Sequence, residues 1–268
     1  MGDVHGQRAR FSALLFQAGL LDRREAWSGG DSTLVLMGDL TDRGPDGAPV
    51  VALVRRLTRE AEQVGGRVIT LLGNHEVLLL AAQRHGRVWK DAQGRSFMAR
   101  WRQGGGREDD LEALTPDDLS WLTGLPVLAR LGPYLFAHAD SRFYLRYGHS
   151  IDLINGALTA TLKGGDPIML DRLASWFAER REFEGESGER AARELLGTLG
   201  GSRIVHGHTP IPYVLGKPAA EVTSPLLYAS GLCLNVDGGL AYGPQGGFLV
   251  RLGPTGVERV VSAARVGR

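Results

Sequence analysis

The amino-acid sequence predicts a layered α/β protein. Short apolar runs rich in β-branched residues alternate with longer segments of helical period, which is typical of strands interleaved with helices. The length of 268 residues fits one large α/β domain, so we expect a single domain over residues 1–268. Hydrophobic residues make up 43% of the chain and charged residues 23%, as in soluble globular proteins that bury a core.

The predicted elements follow one another in a regular order. A first helix is predicted after Gly6 from the helical spacing of four apolar residues, Phe11, Leu14, Leu15 and Ala18. Further helices are predicted over 47–64 and 76–83. The predicted strands cover 33–37, 67–72, 134–137, 202–205, 232–236 and 248–252.

Two segments depart from this alternation. Residues 84–121 are polar and glycine-rich, which indicates an insertion, and Thr115-Pro116 within it is a typical helix start. Residues 151–196 return to a helical period, with Ile151, Ile154 and Leu158 on one face. We expect this second segment to form a helical cap near the functional site.

The charge balance and apolar runs argue against several classes of partner. With 31 basic and 30 acidic residues the net charge is +1, so we expect no nucleic acid partner. No run approaches the roughly 18 apolar residues of a membrane span, and the first residues lack a leader pattern. We therefore expect no membrane partner and a cytoplasmic location. The single Cys233 cannot form an intrachain disulfide, and we interpret it as a core residue.

Five short segments carry the residues suited to chemistry: GDVHG (2–6), GDLTDRG (38–44), GNHE (73–76), AHAD (137–140) and HGHT (206–209). Each follows a predicted strand or the chain start. Their potential ligands lie 34 to 70 residues apart, which leaves room for a helix to cross back each time. All five turns can therefore meet at one edge of the sheets, where α/β proteins place their sites.

The residue types fit a pair of divalent ions. Taken singly, Asp3 or Asp39 could cap a helix or close a turn, but five strand-end turns with such residues indicate metal binding. Two ions about 3.5–4 Å apart share one bridging carboxylate, for which Asp39 is the natural candidate. Asp3 and His5 can reach one ion, and the other ion would take Asn74, His138 and His208. Such nitrogen and oxygen ligands suit Mn, Fe, Zn or Co, and we expect manganese first.

These motifs resemble those of the metallo-dependent, calcineurin-like phosphoesterase superfamily and, within it, the bacterial phosphoprotein-phosphatase-like branch. GDVHG matches the family's GDxHG, GDLTDRG matches GDxxDRG, and GNHE matches outright. The resemblance implies a four-layer α-β-β-α sandwich of two mixed sheets, with a dinuclear metal site at the strand ends. It also implies hydrolysis of phosphoesters.

The resemblance further implies roles for individual residues. It implies the same six metal ligands, with His208, directly before threonine, preferred to His206. Arg43 would bind phosphate oxygens, for which the planar guanidinium fork is suited. His75 would protonate the leaving oxygen and Asp42 would hold it, while a metal-bridging hydroxide attacks phosphorus.

A second phosphate-binding arginine is expected after the fourth motif. Arg181, in the segment WFAERREF, is the first candidate, and Arg180 and Arg142 are its rivals. A solvated helix face is the ordinary explanation for any one of the three.

Three features of the sequence differ from the family pattern. The family has a strand directly before GDxHG, whereas only Met1 precedes Gly2, so either the start lies upstream or a central strand is missing. In the second case we expect weaker metal binding. The fourth motif, AHAD, lacks the His-Gly-Gly or His-Ala-Gly of protein phosphatases. After Phe248 the sequence predicts one strand and a short polar tail, without the long regulatory sequence of the eukaryotic enzymes.

The expected substrate is a phosphomonoester on protein, with Ser/Thr first and Tyr next, because the DRG and NHE signatures resemble those of protein phosphatases. The alternative is a symmetrical dinucleoside-tetraphosphate hydrolase or another small-molecule phosphoesterase, in which Trp101, Trp176 or Phe177 could stack on a base. A third interpretation, a metal-binding module without turnover, would not require the non-ligand residues of the motifs. The sequence leaves the oligomeric state open.

Overall fold

The computed structural model describes residues 1–262 of the chain. Its α-helices are α1 (Arg8–Gln17), α2 (Gly47–Gln63), α3 (Asn74–His85), α4 (Phe97–Gln103), α5 (Glu108–Ala113), α6 (Pro116–Thr123), α7 (Ile151–Gly164), α8 (Pro167–Phe177), α9 (Gly188–Leu199) and α10 (Ile211–Leu215). Its strands are β1 (Thr33–Leu36), β2 (Arg67–Thr70), β3 (Leu128–Leu131), β4 (Tyr134–Ala137), β5 (Arg203–His206), β6 (Leu226–Tyr228), β7 (Cys233–Asn235), β8 (Phe248–Leu252) and β9 (Val257–Ser262).

The strands form three hydrogen-bonded groups within the described residues. β1 and β2 are parallel, with Val35 opposite Ile69. A five-stranded sheet has the order β3-β4-β5-β7-β6, parallel between β4, β5 and β7 and antiparallel at both edges. β8 and β9 form an antiparallel pair. The carboxyl ends of the parallel strands carry the polar motifs, so the topology gathers those motifs at one edge.

Two hydrophobic clusters separate the layers. One cluster lies between the sheets, where Val35 and Met37 pack with Phe136, Val205 and Phe248. β1-β2 and β8-β9 therefore lie over the same face of the five-stranded sheet. The other cluster joins the helices to the outer sides of the sheets. The predicted mixed α/β class is confirmed.

α2 shows how the sequence specifies a helix in these outer layers. Val50, Val54, Leu57 and Ala61 recur at helical spacing, and all four are fully buried. The charged residues of α2 occupy the other face. Burial of one apolar side chain contributes about 1.5–3 kcal/mol, so this face, more than helix propensity, holds α2 against the sheet.

The six predicted strands are all present, two of them with the predicted bounds, but three more were not predicted. These are β3, β6 and β9, and each lies at the edge of its sheet. An edge strand faces water on one side and carries polar residues, as LARL in β3 and VERVVS in β9 show, so it lacks a continuous apolar run. The expectation of a single strand after Phe248 is therefore wrong, and its polar tail falls largely on residues 263–268, outside the described residues.

The segment 84–121 contains short helices in place of the irregular sequence that we expected. α6 begins after Thr115, as Thr115-Pro116 predicts, and the Thr115 hydroxyl accepts a hydrogen bond from the Asp118 N–H at 3.2 Å. Phe97 and Trp101 of α4 are fully buried. A helix of seven residues is too short to show a clear period among glycines, which is why the pattern did not reveal α4.

The segment predicted as a cap contains α7 and α8, with α9 extending to Leu199. Phe177 at the end of α8 lies beside the fourth motif, with its ring centroid 6.4 Å from that of His138. It also packs on Phe143 at 4.8 Å. Among residues 1–262, no helix combines the length and the apolar character that crossing a membrane requires.

Candidate metal centre and active site

The residues predicted as metal ligands come together at the carboxyl ends of the strands. Asp3 and His5 lie in the loop before α1, and Asp39 lies in the loop after β1. Asn74 begins α3, His138 follows β4 directly, and His208 lies two residues after β5. All six side chains are buried, with exposed fractions between 0% and 8%.

Asp39 is at the centre of this cluster. Its Oδ2 lies 3.7 Å from His5 Nε2, and its Oδ1 lies 3.5 Å from His138 Nε2. Two groups of potential ligand atoms include Asp39, and the atoms of each group lie within 4.8 Å of one another. One group is Asp39 with His5 and His75, and the other is Asp39 with His138 and His208. Membership of both groups is what a bridging carboxylate requires.

Backbone carbonyl groups orient two of the imidazoles toward Asp39. His5 Nδ1–H donates to the Thr41 carbonyl at 3.0 Å, and His138 Nδ1–H donates to the Met37 carbonyl at 2.7 Å. Because a carbonyl only accepts, Nδ1 carries the hydrogen of the neutral ring, and Nε2 faces the cluster; in His138 it lies 3.0 Å from Asn74 Oδ1. This is the usual way in which proteins fix the tautomer of a metal-binding histidine.

The two histidines of HGHT have different surroundings. His206 uses both ring nitrogens, with Nδ1 bonded to the Gly207 carbonyl and Nε2 to the Tyr228 hydroxyl at 2.8 Å. His208 Nε2 is buried and has no hydrogen-bond partner within residues 1–262. An unpartnered buried nitrogen in the ligand cluster makes His208 the one available to a metal ion.

The charges of the cluster fit a pair of cations. Burial raises the pKa of Asp3, and the neighbouring carboxylates of Asp237 and Asp39 raise it further. Burial also opposes ionisation of Asp39, yet the surrounding imidazoles hold the pKa of Asp39 below its usual value. Cations among these carboxylates would remove the repulsion, and nitrogen and oxygen donors suit divalent transition metals.

His75 belongs to a hydrogen-bonded chain beside the ligands. Its Nδ1–H donates to Asp42 Oδ2 at 2.7 Å, and the other oxygen of Asp42 accepts from the Trp101 indole at 2.9 Å. Burial lowers the pKa of His75, but the Asp39 and Asp42 carboxylates outweigh it and leave that pKa raised. Nε2 of a protonated His75 is then a proton donor facing the cluster, with Asp39 Oδ2 3.9 Å away.

Arg43 holds its guanidinium over the same ligands. Nη1 lies 2.8 Å from His5 Nε2 and donates to the Tyr242 hydroxyl at 2.5 Å, while Nη2 lies 3.0 Å from His75 Nε2. Its backbone N–H donates to Gly105 of the glycine-rich segment at 2.7 Å. Sequence reasoning considered Trp101 only for stacking on a base and did not identify Gly105, because both lie far along the chain in an irregular segment.

The three candidates for the second phosphate-binding arginine differ in their ion-pair partners. The Arg181 guanidinium pairs with Glu184 at 2.6 Å and is half-exposed, and that of Arg142 binds Glu182 and Glu194. Arg180 is exposed, and its charge adds a small lowering of the pKa of His138 and of His208, of which burial is the main cause.

Glu76 holds the loop that carries Asp39. Its carboxylate accepts from the Asp39 N–H and the Leu40 N–H, each at 2.8 Å, and from the Gly73 N–H at 3.0 Å. A side chain at Gly73 would come within 2.1 Å of Asp39 Oδ1, so only glycine allows this approach. Sequence reasoning used Glu76 only as part of the GNHE match and assigned it no role. Its position three residues after Gly73 is the capping-box spacing, which could have revealed that role.

Two further carboxylates near the cluster were missed. Asp237 lies beside Asp3 and has one buried oxygen without a hydrogen-bond partner within residues 1–262, and burial raises the pKa of Asp237 to about 6. Asp140, in AHAD, accepts from the Thr209 hydroxyl at 2.7 Å and from the Arg181 N–H at 2.8 Å. Asp237 follows a predicted strand and precedes two glycines, so the pattern used for the other motifs could have found it.

The backbone of the site is unusual as well. Six predicted site residues have a positive φ, between 48° and 69°: His5, Asp39, Asp42, Arg43, Arg181 and His208. Non-glycine residues rarely adopt this region, and each such residue costs about 1–3 kcal/mol. Conformations of this kind cluster at functional sites, where the surrounding structure holds them.

Comparison with known proteins is consistent with this geometry. Residues 1–212 match the family model described as calcineurin-like phosphoesterase. A segment of 78 residues is 37% identical to Shewanella-like protein phosphatase 2 of Arabidopsis thaliana, and a segment of 140 residues is 30% identical to the symmetrical bis(5'-nucleosyl)-tetraphosphatase of Aromatoleum aromaticum. These segments cover 29% and 52% of the chain, and only 20% and 42% of those relatives.

A solved structure shows the same fold over nearly the whole chain. The cold-active protein tyrosine phosphatase of a psychrophilic Shewanella superposes with a TM-score of 0.68 at 19% identity, over 98% of this chain and 76% of that one. At this identity the similarity establishes the fold alone.

Proposed function

The chain belongs to the calcineurin-like phosphoesterase family, and from that membership we propose that it hydrolyses phosphomonoesters at the strand-end cluster with two divalent ions. The observation that carries the proposal is Asp39, which two groups of buried ligand atoms share, with Arg43 and His75 directly beside it.

The ligand cluster would hold both ions. Asp3, His5 and Asp39 surround one position, and Asp39 with Asn74, His138 and His208 surrounds the other. When bound, the ions would lower the pKa of a water molecule and polarise the phosphoryl oxygens. We propose manganese as the native metal, with Fe, Zn or Co as alternatives that nitrogen and oxygen ligands without a thiolate would also accept.

Two arginines would bind the phosphoryl group. Arg43 presents two nitrogens of one planar fork toward His5 and His75, which suits two equatorial oxygens of the phosphoryl group. We propose Arg180 as the second arginine in preference to Arg181, because Arg181 is already paired with Glu184.

The His75–Asp42 pair would deliver the proton to the leaving oxygen. Asp42 accepts a hydrogen bond from His75 Nδ1–H and so directs Nε2 of the ring toward the cluster. The raised pKa of His75 keeps that nitrogen protonated at a higher pH than in a free imidazole. An alkoxide leaving group needs such a proton, whereas a weakly basic phenolate scarcely does.

We propose a phosphorylated protein, Ser/Thr first, as the preferred substrate. Arg43 and Arg180 are both exposed, so a phosphate carried on the surface of a folded protein can reach them. The similarity of part of the chain to a Shewanella-like protein phosphatase supports this class.

The alternative substrate is a dinucleoside tetraphosphate, which the similarity to a symmetrical bis(5'-nucleosyl)-tetraphosphatase favours. The aromatic residues predicted to stack on a base do not support it, because Trp101 and Phe177 are fully buried and Trp176 packs against Arg146. Tyr242, 47% exposed and bonded to Arg43, is the aromatic residue that a base could reach.

The deciding experiment compares turnover by the manganese-loaded protein, measured as phosphate released from a phosphothreonine peptide and from a phosphotyrosine peptide, and as ADP formed from diadenosine tetraphosphate. We expect the phosphothreonine peptide to have the highest kcat/KM, and EDTA to abolish turnover until Mn²⁺ is restored. Faster turnover of the dinucleotide would replace the protein phosphatase assignment with the alternative. Arg180→Ala should raise KM for the peptide about tenfold or more, and Arg181→Ala is the matched control that should leave it nearly unchanged.

A further inference from the structure

The loop between β7 and β8 carries an exposed tyrosine to Arg43. Residues 238–247, here called the Tyr242 loop, close on themselves, since the Gly247 N–H donates to the Gly238 carbonyl at 2.9 Å. Five of these ten residues are glycine. Glycine has more backbone freedom than any other residue, so this loop needs contacts from elsewhere in the molecule to keep one shape.

Arg10 of α1 supplies such a contact. Its Nη1 donates to the Leu240 carbonyl and its Nη2 donates to the Gly246 carbonyl, 230 and 236 residues away in the sequence. These carbonyls lie before and after Tyr242, on two sides of the loop that approach closely, because a side chain at Gly246 would come within 2.4 Å of the Gly239 carbonyl. One planar guanidinium that binds both sides fixes the orientation of the loop as well as its position.

The guanidinium of Arg10 has no competing partner within residues 1–262. Its Nε is buried without a hydrogen-bond acceptor there, and burial lowers the pKa of Arg10 with no carboxylate to oppose the change. A surface arginine commonly pairs with a carboxylate, as Arg8 on the same helix pairs with Glu25 at 2.5 Å. Both terminal nitrogens of Arg10 therefore bind the Tyr242 loop alone.

Tyr242 in turn contacts the arginine that we propose to bind phosphate. Its hydroxyl accepts from Arg43 Nη1 at 2.5 Å, and its ring centroid lies 5.3 Å from Arg43 Cζ, within the range of a cation–π contact. His5 Nε2 lies 2.8 Å from the same nitrogen, but a nitrogen that binds a metal ion has no lone pair left to accept a hydrogen bond. A protonated His75 Nε2 cannot accept from Arg43 Nη2 either. Among these contacts, the Tyr242 hydroxyl is thus the acceptor that persists when metal ions occupy the site.

We infer that Arg10 is a positioning residue of the phosphate site: it fixes the Tyr242 loop, and the Tyr242 hydroxyl orients the Arg43 guanidinium. The inference rests on the proposed function for the role of Arg43, and it adds a residue of α1 whose guanidinium has no hydrogen bond to any candidate metal ligand within residues 1–262. A guanidinium already held in its binding orientation loses less conformational freedom when phosphate binds. Loss of this support should therefore weaken phosphate binding and leave the chemical step nearly unchanged.

The test is a double-mutant cycle on Arg10 and Tyr242 in the manganese-loaded protein. Arg10→Met and Tyr242→Phe should each raise KM for 4-nitrophenyl phosphate, and the inhibition constant of inorganic phosphate, about five- to tenfold, with kcat changed less than about twofold. The double variant should be no worse than the poorer single variant, because Arg10 acts through Tyr242. Arg10→Lys, whose ammonium can bind one of the two carbonyls, should recover part of the loss.

Arg8→Met is the matched control, because Arg8 lies on the same helix and its guanidinium pairs with Glu25. It should leave KM and the inhibition constant unchanged. Calorimetric titration of inorganic phosphate into the manganese-loaded protein measures the same affinity without turnover. A wild-type protein that binds phosphate but hydrolyses no ester would contradict the proposed function, and the titrations of the four proteins of the cycle would still decide the role of Arg10.

Hydrogen exchange of the metal-free protein tests the contact between Arg10 and the loop by itself. Arg10→Met should speed exchange of the Gly247 amide about tenfold or more, since that amide closes the loop, whereas Tyr242→Phe should leave it unchanged. Additive losses in the double variant, or an unchanged phosphate affinity in Arg10→Met, would overturn the inference. So would tighter phosphate binding by Tyr242→Phe, since the hydroxyl would then compete with phosphate for Arg43.

Discussion

His75 has different hydrogen-bond surroundings from the histidines assigned to the metal ions. His5 and His138 donate their Nδ1–H to backbone carbonyls, whereas His75 donates to the Asp42 carboxylate. A neutral carbonyl orients an imidazole, while a carboxylate also favours its protonated form. The same residue type is therefore suited to ligation at two positions and to proton donation at the third.

At this scale we predict that His75→Asn impairs catalysis according to the leaving group. Turnover of an alkyl phosphate should fall about 100-fold or more, because the leaving alkoxide loses its proton donor. Turnover of 4-nitrophenyl phosphate, whose leaving group is weakly basic, should fall far less. Steady-state kinetics on both substrates, with His85→Asn as a control outside the site, measures the difference. Equal losses on the two substrates would remove His75 from the role of acid.

At the scale of elements, α3 and α4 are what hold the catalytic loop. Glu76 in the first turn of α3 binds the backbone of the GDLTDRG loop, and Trp101 in α4 binds Asp42 of the same loop. The segment 84–121 thus contributes to the candidate active site although its composition is that of an insertion. Its glycines have a role here too, because a side chain at Gly105 would come within 2.7 Å of Arg43 Cγ.

We predict that Trp101→Phe lowers kcat about tenfold with little change in KM. The change keeps an aromatic ring in the core but leaves a buried Asp42 oxygen without its donor, and a hydrogen bond to a charged group is worth about 1.5–3 kcal/mol. His75 would then be less firmly oriented, while the phosphate contacts of Arg43 would persist. Trp176→Phe on α8 is the matched control. A loss confined to KM, or one that Trp176→Phe reproduces, would argue against this positioning role.

At the scale of the whole molecule, the candidate metal site joins parts of the chain that are far apart. Its candidate ligands, from residues 3 to 208, meet at one edge, and the carboxylates among them are buried beside imidazoles and the Arg43 guanidinium. Ions bound there would link the loops that follow β1, β4 and β5. Metal binding should therefore stabilise the whole fold and not the site alone.

We predict that Mn²⁺ raises Tm and that chelation reverses the rise. At a concentration of 100 times Kd, one bound ion adds about 2.7 kcal/mol, which for a chain of this size is roughly 5–10 °C. His208→Ala should remove most of this shift, because it deletes a ligand. His206→Ala should retain it, whatever its effect on the starting Tm. A thermal melt with and without Mn²⁺ measures both, and an equal shift in the two variants would contradict the choice of His208.

From the sequence alone we predicted the α/β class, the buried strands and the candidate metal ligands that the structure brings together. Buried strands are continuous apolar runs, and the turns after them carry Asp, His and Asn in an order that ordinary caps and turns do not explain. These features are local, since each motif lies within a few residues of one strand end. The amphipathic face of α2 and the capped start of α6 could be predicted from the sequence for the same reason.

Only the tertiary structure decided how distant segments act on these residues. The edge strands β3, β6 and β9, the indole of Trp101 on Asp42 and the pairing of Arg181 with Glu184 all depend on neighbours far along the chain. Arg181, next to Arg180 in sequence, has a positive φ and pairs with Glu184, which no local pattern predicts.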